Sequence, residues 1–442
     1  MPASIGVNLR VTGHCSQGGR KYMEDLFSVA YQQTEDERDL EYAFFGIYDG
    51  HGGGEAAAFA KEHLMDSIVK QRQFWSDNDE DVLKAIRNGY MLTHLNMWKE
   101  VENWPKTVTG LPSTAGTTAS VAFIRRGKIY VGHVGDSAIV LGYQKDDSEE
   151  WAAKPLTSDH KPESTAEIER IQRCGGKVIS KAGVPRVVWN RPRPGHKGPI
   201  KKNTPMDEIP FLAVARSLGD LWSYNPQNDE FIVSPDPDVG VLTIDPTKFR
   251  CLIFGTDGLW NMISPEGAVS LVQATEKHNE AALVGGGNQP RDWLNPSKSL
   301  VDHALERWSN TRMRADNTSV VTLMLDPPGP PRATLARGAL HHGRGGAASS
   351  AFTQRARRAG RAARRQARAG RRRAAGRQAG AAGQARVGPV GAGAGAAQPA
   401  PAPARQVAAA VTCECQRCLS STGECSLTCA RERSKDDCVV YG

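Results

Sequence analysis

Residues 42–53 read Tyr-Ala-Phe-Phe-Gly-Ile-Tyr-Asp-Gly-His-Gly-Gly. The first seven residues form an apolar run with the length of a buried strand, and the glycines after it indicate a turn. A strand here places the Asp49 carboxylate, the Gly50 carbonyl and the His51 imidazole at one edge of a sheet. Oxygen ligands of these kinds suit a hard divalent cation, and an imidazole can transfer protons near neutral pH. We therefore expect a metal-ion site beside a proton-transfer group.

Three more aspartates lie at the ends of predicted strands. Asp136 and Asp257 each follow such a strand, and Asp316 precedes the β-rich run at 319–325. One aspartate at a strand end is usually only a turn former. Several carboxylates that converge from different strands, however, would repel one another unless cations offset their charge. The set therefore predicts a dinuclear site with oxygen ligands, in which Mg²⁺ or Mn²⁺ is favoured over zinc.

Short motifs that include these aspartates follow one another along the chain. In order, they are Arg20…Met23-Glu24-Asp25, Tyr48–Gly53, Ser113–Ala119, Gly135–Ser137, Thr157–Pro162, Ala215–Asp220, Thr256–Trp260 and Asp316–Thr318. Their order resembles the metal-dependent protein phosphatase family, also called protein phosphatase 2C, over about residues 5–326. The resemblance implies an α+β fold, a central β-sandwich of two antiparallel sheets flanked by helices (αββα), with metals in a channel at one end.

The resemblance also implies metal contacts for several residues. These are Asp49 as the bridge between two metals, the Gly50 carbonyl on the first metal, Asp257 and Asp316 on the second, Glu24 and Asp25 holding metal-bound water, and Asp136 with Asp257 at a weaker third metal. The implied cofactors are two Mg²⁺ or Mn²⁺ ions in each catalytic site, with a weaker third.

Arg20 and His51 carry the remaining catalytic roles that the resemblance implies. Arg20 resembles the phosphate-binding arginine, whose planar fork can hold two oxygens. His51 resembles the general acid that protonates the leaving serine or threonine oxygen. The chemistry agrees, because water between two cations supplies hydroxide near neutral pH and no protein nucleophile is needed. The competing cysteine-phosphatase pattern, Cys-x5-Arg, occurs at Cys425–Arg431, where no buried strand precedes it, so we interpret it as coincidence.

A basic insertion occupies about residues 187–211. Its candidate substrate-binding cations are Arg191, Arg193, Lys197, Lys201 and Lys202. Its prolines and glycines disfavour a regular helix or a central strand. The resemblance implies that the insertion lies in a flap region beside the active site, where a basic loop would bind anions, and a solvated surface loop is the alternative.

The insertion, with residues 104–113 and 221–224, resembles the delta isoform of the family, a nuclear phosphatase induced by DNA damage. The implied substrates are phosphoserine or phosphothreonine followed by glutamine, and doubly phosphorylated Thr-x-Tyr loops of stress kinases. The basic loop would then receive the second phosphate.

Charge is unevenly distributed along the 442 residues. The net charge is +8, but residues 332–442 contain 20 Lys or Arg against 5 Asp or Glu, so the first 331 residues are acidic. We predict one catalytic domain at 1–330 and a disordered basic tail at 331–442, rich in Arg, Ala and Gly with a Cys-rich end. The tail arginines could bind nucleic acid or direct nuclear import, and an inert tail is the alternative. Zinc binding by the tail cysteines is disfavoured because paired Cys-x2-Cys knuckles are lacking.

We expect neither a transmembrane span nor a signal peptide, and three cysteines in the catalytic region suit a reducing compartment. The leading hypothesis is a monomeric protein serine/threonine phosphatase, nuclear and also cytoplasmic, that down-regulates DNA-damage and stress-kinase signalling. One alternative is a phosphatase-fold scaffold that binds phosphoproteins without hydrolysing them. Another is a nucleic-acid-binding protein led by its tail, which the acidity of the first 331 residues disfavours.

Overall fold

The computed structural model describes residues 5–34, 39–146, 148–196, 198, 201, 203–284 and 293–329, and the backbone of two strands near the C-terminus. The strands are β1 (Asn8–Ser16), β2 (Asp25–Gln33), β3 (Leu40–His51), β4 (Gly116–Thr117), β5 (Ala119–Arg125), β6 (Lys128–Val134), β7 (Ala138–Gln144), β8 (Trp151–Pro155), β9 (Val178–Lys181), β10 (Val184–Pro192), β11 (Met206–Leu212), β12 (Leu218–Gly219), β13 (Tyr224–Asn225), β14 (Glu230–Phe231), β15 (Asp238–Thr243), β16 (Phe249–Gly255), β17 (Thr318–Asp326), β18 (Glu424–Leu427) and β19 (Val440–Tyr441). The α-helices are α1 (Glu55–Val69), α2 (Asp79–Glu100), α3 (Thr165–Arg173), α4 (Asp257–Trp260), α5 (Pro265–Val284) and α6 (Pro296–Ser309). Short 3₁₀ helices lie at Arg72–Trp75, Val101–Asn103 and Leu221–Ser223.

Two antiparallel sheets form the centre of the fold. One has the order β18-β1-β17-β16-β7-β8 with β19 beside β1, and the other has the order β12-β4-β3-β5-β6-β15 with β2 beside β3. Strand β3 shows why both layers form. Its side chains alternate, so Ala43, Phe45 and Ile47 join the core between the sheets, and Phe44 and Tyr48 join the core beneath the helices. Both faces are buried, as the continuous apolar run predicts.

Helices cover both outer faces of the sandwich. Helices α1 and α2 pack on the sheet that contains β3, and α5 and α6 pack on the other sheet. Helix α1 approaches closely because the small side chains of Ala56 and Ala60 are fully buried against the sheet. Leu64 and Ile68 on the same helix are also fully buried, and each contributes roughly 2 kcal/mol through burial. The predicted αββα architecture is confirmed.

Arg10 connects three elements through ion pairs. From β1, its Nε lies 2.6 Å from the Asp326 carboxylate at the end of β17, and Nη2 lies 2.5 Å from the Glu276 carboxylate on α5. The two carboxylates are only 11% and 6% exposed. Because such groups are costly to leave unpaired, the arginine stabilises the junction of strand and helix.

A third, three-stranded sheet has the order β11-β10-β9, and we call it the flap sheet. It contains most of the described part of the basic insertion. The expectation that this segment excludes a central strand is wrong, because β10 is central and contains Pro185 and Pro192. The reason is that β10 pairs with β9 only up to Val187 and with β11 only from Val187 onward. Each proline therefore lies in a part of β10 that has only one neighbouring strand. Such a part resembles an edge strand, in which the missing N–H of proline is tolerated.

Strands β18 and β19 both pair antiparallel with β1. The rest of the predicted tail, with its arginine clusters, lies outside the described residues. The domain boundary at residue 330 therefore stays a prediction. Among the described residues, no helix has both the length and the apolar character that crossing a bilayer requires.

Candidate active site

Asp25 and Asp49 face each other on neighbouring strands. Strands β2 and β3 pair antiparallel with these two residues directly opposite, so their side chains lie on the same face. Thr118 holds the Asp49 backbone, because its hydroxyl accepts from the Asp49 N–H at 3.0 Å and its own N–H donates to the Asp49 carbonyl at 2.9 Å. The backbone that carries the predicted carboxylate is therefore held in place.

The other sheet contributes Asp257 and Asp316. Asp257 begins α4 shortly after β16, and Asp316 lies just before β17, the antiparallel neighbour of β16. Thr256 joins the two sheets here, because its hydroxyl donates to Asp25 at 2.9 Å. The fold therefore brings together aspartates that are as many as 291 positions apart in the chain.

Three of the carboxyl groups at this site, those of Asp25, Asp49 and Asp257, have raised pKa values. Burial, together with repulsion from Asp257 and Asp316, raises the pKa of Asp25 to about 7, although the hydrogen bond from the Thr256 hydroxyl opposes the shift. Burial and the charge of Asp25 raise the pKa of Asp49 well above its usual range. Burial and the charges of Asp136 and Asp316 raise the pKa of Asp257 to about 7. Five predicted metal ligands thus form one electrostatically coupled group.

The chemistry of this group fits divalent cations. Oδ1 of Asp25 is buried and has no hydrogen-bond partner among the described residues. Carboxylate oxygens are the donors that Mg²⁺ and Mn²⁺ prefer, and positive charge would relieve the repulsion. In the ranges described, however, no three or more His, Cys, Asp or Glu side chains are already spaced so that they could hold an ion. The assignment of individual ligands therefore stays a prediction.

Two cationic side chains contact the acidic group. Nη2 of Arg20 lies 2.6 Å from Asp316, and the arginine side chain is 56% exposed. Nζ of Lys161 contacts the Asp136 carboxylate. Burial lowers the pKa of Lys161, but the charge and hydrogen bond of Asp136 outweigh this and raise it. Arg20 had a predicted role from the sequence and Lys161 had none, although Lys161 lies in one of the quoted motifs.

Asn317 fixes the loop that carries the N-terminal site residues. Its Oδ1 accepts from the Glu24 N–H at 2.9 Å, and its Nδ2 donates to the carbonyls of Gln17 and Tyr22 at 2.9 and 3.0 Å. Glu24 in turn accepts from the Gly53 N–H at 2.9 Å. Asn317 was also missed as a functional residue, and its place directly after Asp316 was the only signal in the sequence.

His51 pairs with a carboxylate that the sequence analysis left without a role. Its Nε2 lies 2.6 Å from Oδ2 of Asp220, whose side chain is fully buried. Burial lowers the pKa of His51, but the charge and hydrogen bond of Asp220 outweigh this effect and raise it above its usual value. The raised pKa favours the protonated imidazole, which is the form that a general acid needs.

The family model for protein phosphatase 2C matches residues 9–313. The chain belongs to the protein phosphatase 2C family. It is 31% identical over 312 residues to "Probable protein phosphatase 2C 2" of Arabidopsis thaliana, covering 71% of this chain and 66% of that protein. It is 30% identical over 266 residues to "Probable protein phosphatase 2C 11" of the same plant, covering 60% of this chain and 58% of that protein.

A solved structure agrees with the fold. The serine-threonine phosphatase 2C from Toxoplasma gondii aligns with a TM-score of 0.57 and 24% identity, over 72% of this chain and 95% of that one. Because this chain spans less than two thirds of the length of the two plant relatives, their whole activity does not transfer directly.

In this protein phosphatase 2C family member, the described cations of the basic insertion lie on the flap sheet or next to it. Arg191 lies next to the last residue of β10, with its guanidinium 5.8 Å from the ring centre of Trp189. Arg193 is exposed, and its Nε lies 3.1 Å from Asp207. Lys201 is exposed. The other two predicted substrate-binding residues, Lys197 and Lys202, lie outside the described residues.

Proposed function

We propose that the protein is a metal-dependent protein phosphatase that hydrolyses phosphoserine and phosphothreonine. One observation carries the proposal: the buried carboxylates of Asp25 and Asp257 interact with that of Asp49 at the end of β3, which also presents His51. Family membership supports the same activity. A scaffold that only binds phosphoproteins would not need to keep this electrostatically costly cluster.

The residues that would hold the cations are those of the acidic group. They are Asp49, the Gly50 carbonyl, Asp257 and Asp316 for two Mg²⁺ or Mn²⁺ ions, Glu24 and Asp25 through water, and Asp136 at a weaker third ion. Divalent cations bound there would activate water and neutralise charge on the phosphoryl group.

Arg20 and His51 would act on the substrate itself. The exposed guanidinium of Arg20 is available to hold phosphate oxygens, and its bond to Asp316 limits its orientations. Since Nε2 of His51 is engaged by Asp220, Nδ1 is the nitrogen that remains to protonate the leaving oxygen. Water would attack the phosphorus, the P–O bond would break, and the leaving oxygen would take the proton from His51.

The first experiment assays the full-length protein with Mn²⁺ on a phosphothreonine peptide. Asp257→Ala should lower kcat by at least about 100-fold, because it removes a ligand from the centre that activates water. Asp302→Ala is the control, since Asp302 is a half-exposed carboxylate paired with Lys298 on α6. EDTA should abolish turnover. A wild-type protein that binds the peptide without hydrolysing it would support the scaffold and overturn the proposal.

For substrates, we propose phosphoserine or phosphothreonine followed by glutamine, and doubly phosphorylated Thr-x-Tyr loops. The cations of the basic insertion would receive the second phosphate, because clustered Arg and Lys bind phosphate strongly. The sequence resemblance to the delta isoform supports these substrates. It also supports a monomer in the nucleus and cytoplasm that down-regulates DNA-damage and stress-kinase signalling.

A second experiment tests the flap separately. The variant replaces Arg191, Arg193, Lys197, Lys201 and Lys202 with glutamine. We expect kcat/KM to fall by more than about tenfold on a doubly phosphorylated Thr-x-Tyr peptide, as several charge-assisted contacts are lost. Hydrolysis of p-nitrophenyl phosphate should stay within about twofold, because this small substrate has no second phosphate for the flap cations to bind. Equal losses on both substrates would contradict a role in substrate choice. Fractionation of cells before and after DNA damage tests the nuclear location.

A further inference from the structure

Asp220 is held by three side-chain donors. Its Oδ2 accepts from His51 Nε2 at 2.6 Å and from Ser217 Oγ at 2.5 Å, and its Oδ1 accepts from Trp222 Nε1 at 2.7 Å. A fully buried carboxylate is tolerated only when its oxygens are satisfied in this way. The donors fix the carboxylate in one orientation, and the carboxylate in turn fixes the plane of the imidazole.

The backbone at Asp220 is strained. Its φ of 49° and ψ of 41° lie in the left-handed region, which residues other than glycine rarely adopt. The conformation is maintained by the Asp220 N–H, which donates to the Ala115 carbonyl at 2.9 Å. Strain of this kind persists where the surroundings enforce it, and it is frequent at functional sites. Here it directs a carboxylate toward the imidazole.

Gly116 makes room for the pair. Strand β4 lies between β3 and β12, and Gly116 is opposite both His51 and Gly219. A Cβ at this position would overlap the Asp220 carboxylate and Nε2 of His51. His51 and Asp220 therefore meet across β4 at a residue that has no side chain.

Trp222 connects this pair to the flap sheet. Its ring centre lies 5.7 Å from that of Trp189 on β10 and 5.1 Å from that of Phe211 on β11. The indole that donates to Asp220 is thus packed against the sheet that carries Arg191. Trp222 therefore contacts both the flap sheet and the carboxylate that binds His51.

We propose that Asp220 and Trp222 are positioning residues that hold His51 with Nδ1 toward the leaving oxygen, an inference that rests on the proposed phosphatase activity. Asp220 accepts a hydrogen bond from the Nε2–H, which stays on the ring, so the transferable proton of the imidazolium is on Nδ1. When the P–O bond breaks, its electron pair stays on the leaving oxygen, which takes the Nδ1 proton and leaves His51 neutral. Trp222 keeps Asp220 in place from the flap side.

The test compares two leaving groups on the Mn²⁺-loaded full-length protein. A threonine alkoxide is a poor leaving group that needs the proton, and p-nitrophenolate leaves without much help. Asp220→Asn should lower kcat on the phosphothreonine peptide about 10- to 100-fold, within the range that a general acid supplies, and on p-nitrophenyl phosphate less than about threefold. Trp222→Phe keeps an aromatic ring but loses the N–H. It should lower kcat on the phosphothreonine peptide about three- to tenfold, again with less effect on p-nitrophenyl phosphate. KM should stay unchanged for both variants.

Matched controls remove similar groups elsewhere. Asp302→Asn neutralises a half-exposed carboxylate on α6, and Trp75→Phe removes an indole donor to the Val69 carbonyl on the surface. Neither should change kcat on either substrate. In a His51→Gln background, Asp220→Asn should change kcat by less than about twofold, because a residue that acts through His51 has nothing left to position.

Equal losses on both substrates, or a further loss in the His51→Gln background, would overturn the inference and indicate a structural role. If Asp220→Asn lacks native circular dichroism, Trp222→Phe decides by the same comparison. A wild-type protein inactive on the peptide would refute the phosphatase proposal itself, and the inference with it. If wild type hydrolyses the peptide normally and the Asp220 and Trp222 variants show no selective loss on it, only the positioning role is refuted.

Discussion

Replacing Asp25 with asparagine should stabilise the metal-free protein at pH 8. The carboxyl is 2% exposed, and its pKa is raised from 3.8 to about 7 by burial and by repulsion from Asp257 and Asp316. The folded protein therefore keeps a proton that the unfolded chain loses, and the free energy of unfolding falls as pH rises from about 4 to about 7. From pH 5 to pH 7 this loss is at most about 3 kcal/mol, at about 1.4 kcal/mol per pH unit. Asparagine has no such titration.

Urea unfolding in EDTA at pH 5 and pH 8 measures this effect. Asp25→Asn should gain up to about 3 kcal/mol over wild type at pH 8 relative to pH 5. Adding Mn²⁺ at pH 8 should stabilise wild type, by about 2.7 kcal/mol at 100 times its Kd, and should stabilise the variant less. Asp302→Asn, at a half-exposed carboxylate, should change neither result. A variant that keeps the pH dependence of wild type would refute the electrostatic argument, and an equal Mn²⁺ response would refute the metal role of Asp25.

Three further outcomes are expected. Arg10→Met removes the cation between two buried carboxylates and should lower the free energy of unfolding by about 3 kcal/mol, measured in urea, without changing kcat. Gly116→Ala should lower kcat on the phosphothreonine peptide by more than about tenfold, because the added methyl group displaces His51 from Asp220; an unchanged rate would contradict that steric argument. Thiol alkylation of the native protein should not inhibit it, since Cys251 is buried with a pKa raised to about 12; stoichiometric inactivation by iodoacetamide would contradict a metal-dependent mechanism.

Local sequence patterns predicted the parts of the fold that depend on near neighbours. The run at 42–48 identified β3, because a strand buried on both faces is apolar at every position. The glycines after His51 indicated a turn, and α1 begins directly after them at Glu55. The prediction that the basic insertion excludes a central strand was wrong. Pro192 is tolerated at the end of β10 because only β11 pairs with that part of the strand, and this pairing is not visible in the local sequence.

The sequence by itself determined the strands that end in aspartates, because alternation and turn chemistry are encoded within a few residues. The order of its motifs also indicated the family through resemblance. Tertiary structure alone decided which of these groups meet. Asp220 is 169 positions from His51, and the two meet only because β4 pairs with both neighbouring strands at a glycine. Such a contact depends on the register of three strands, which no short segment specifies.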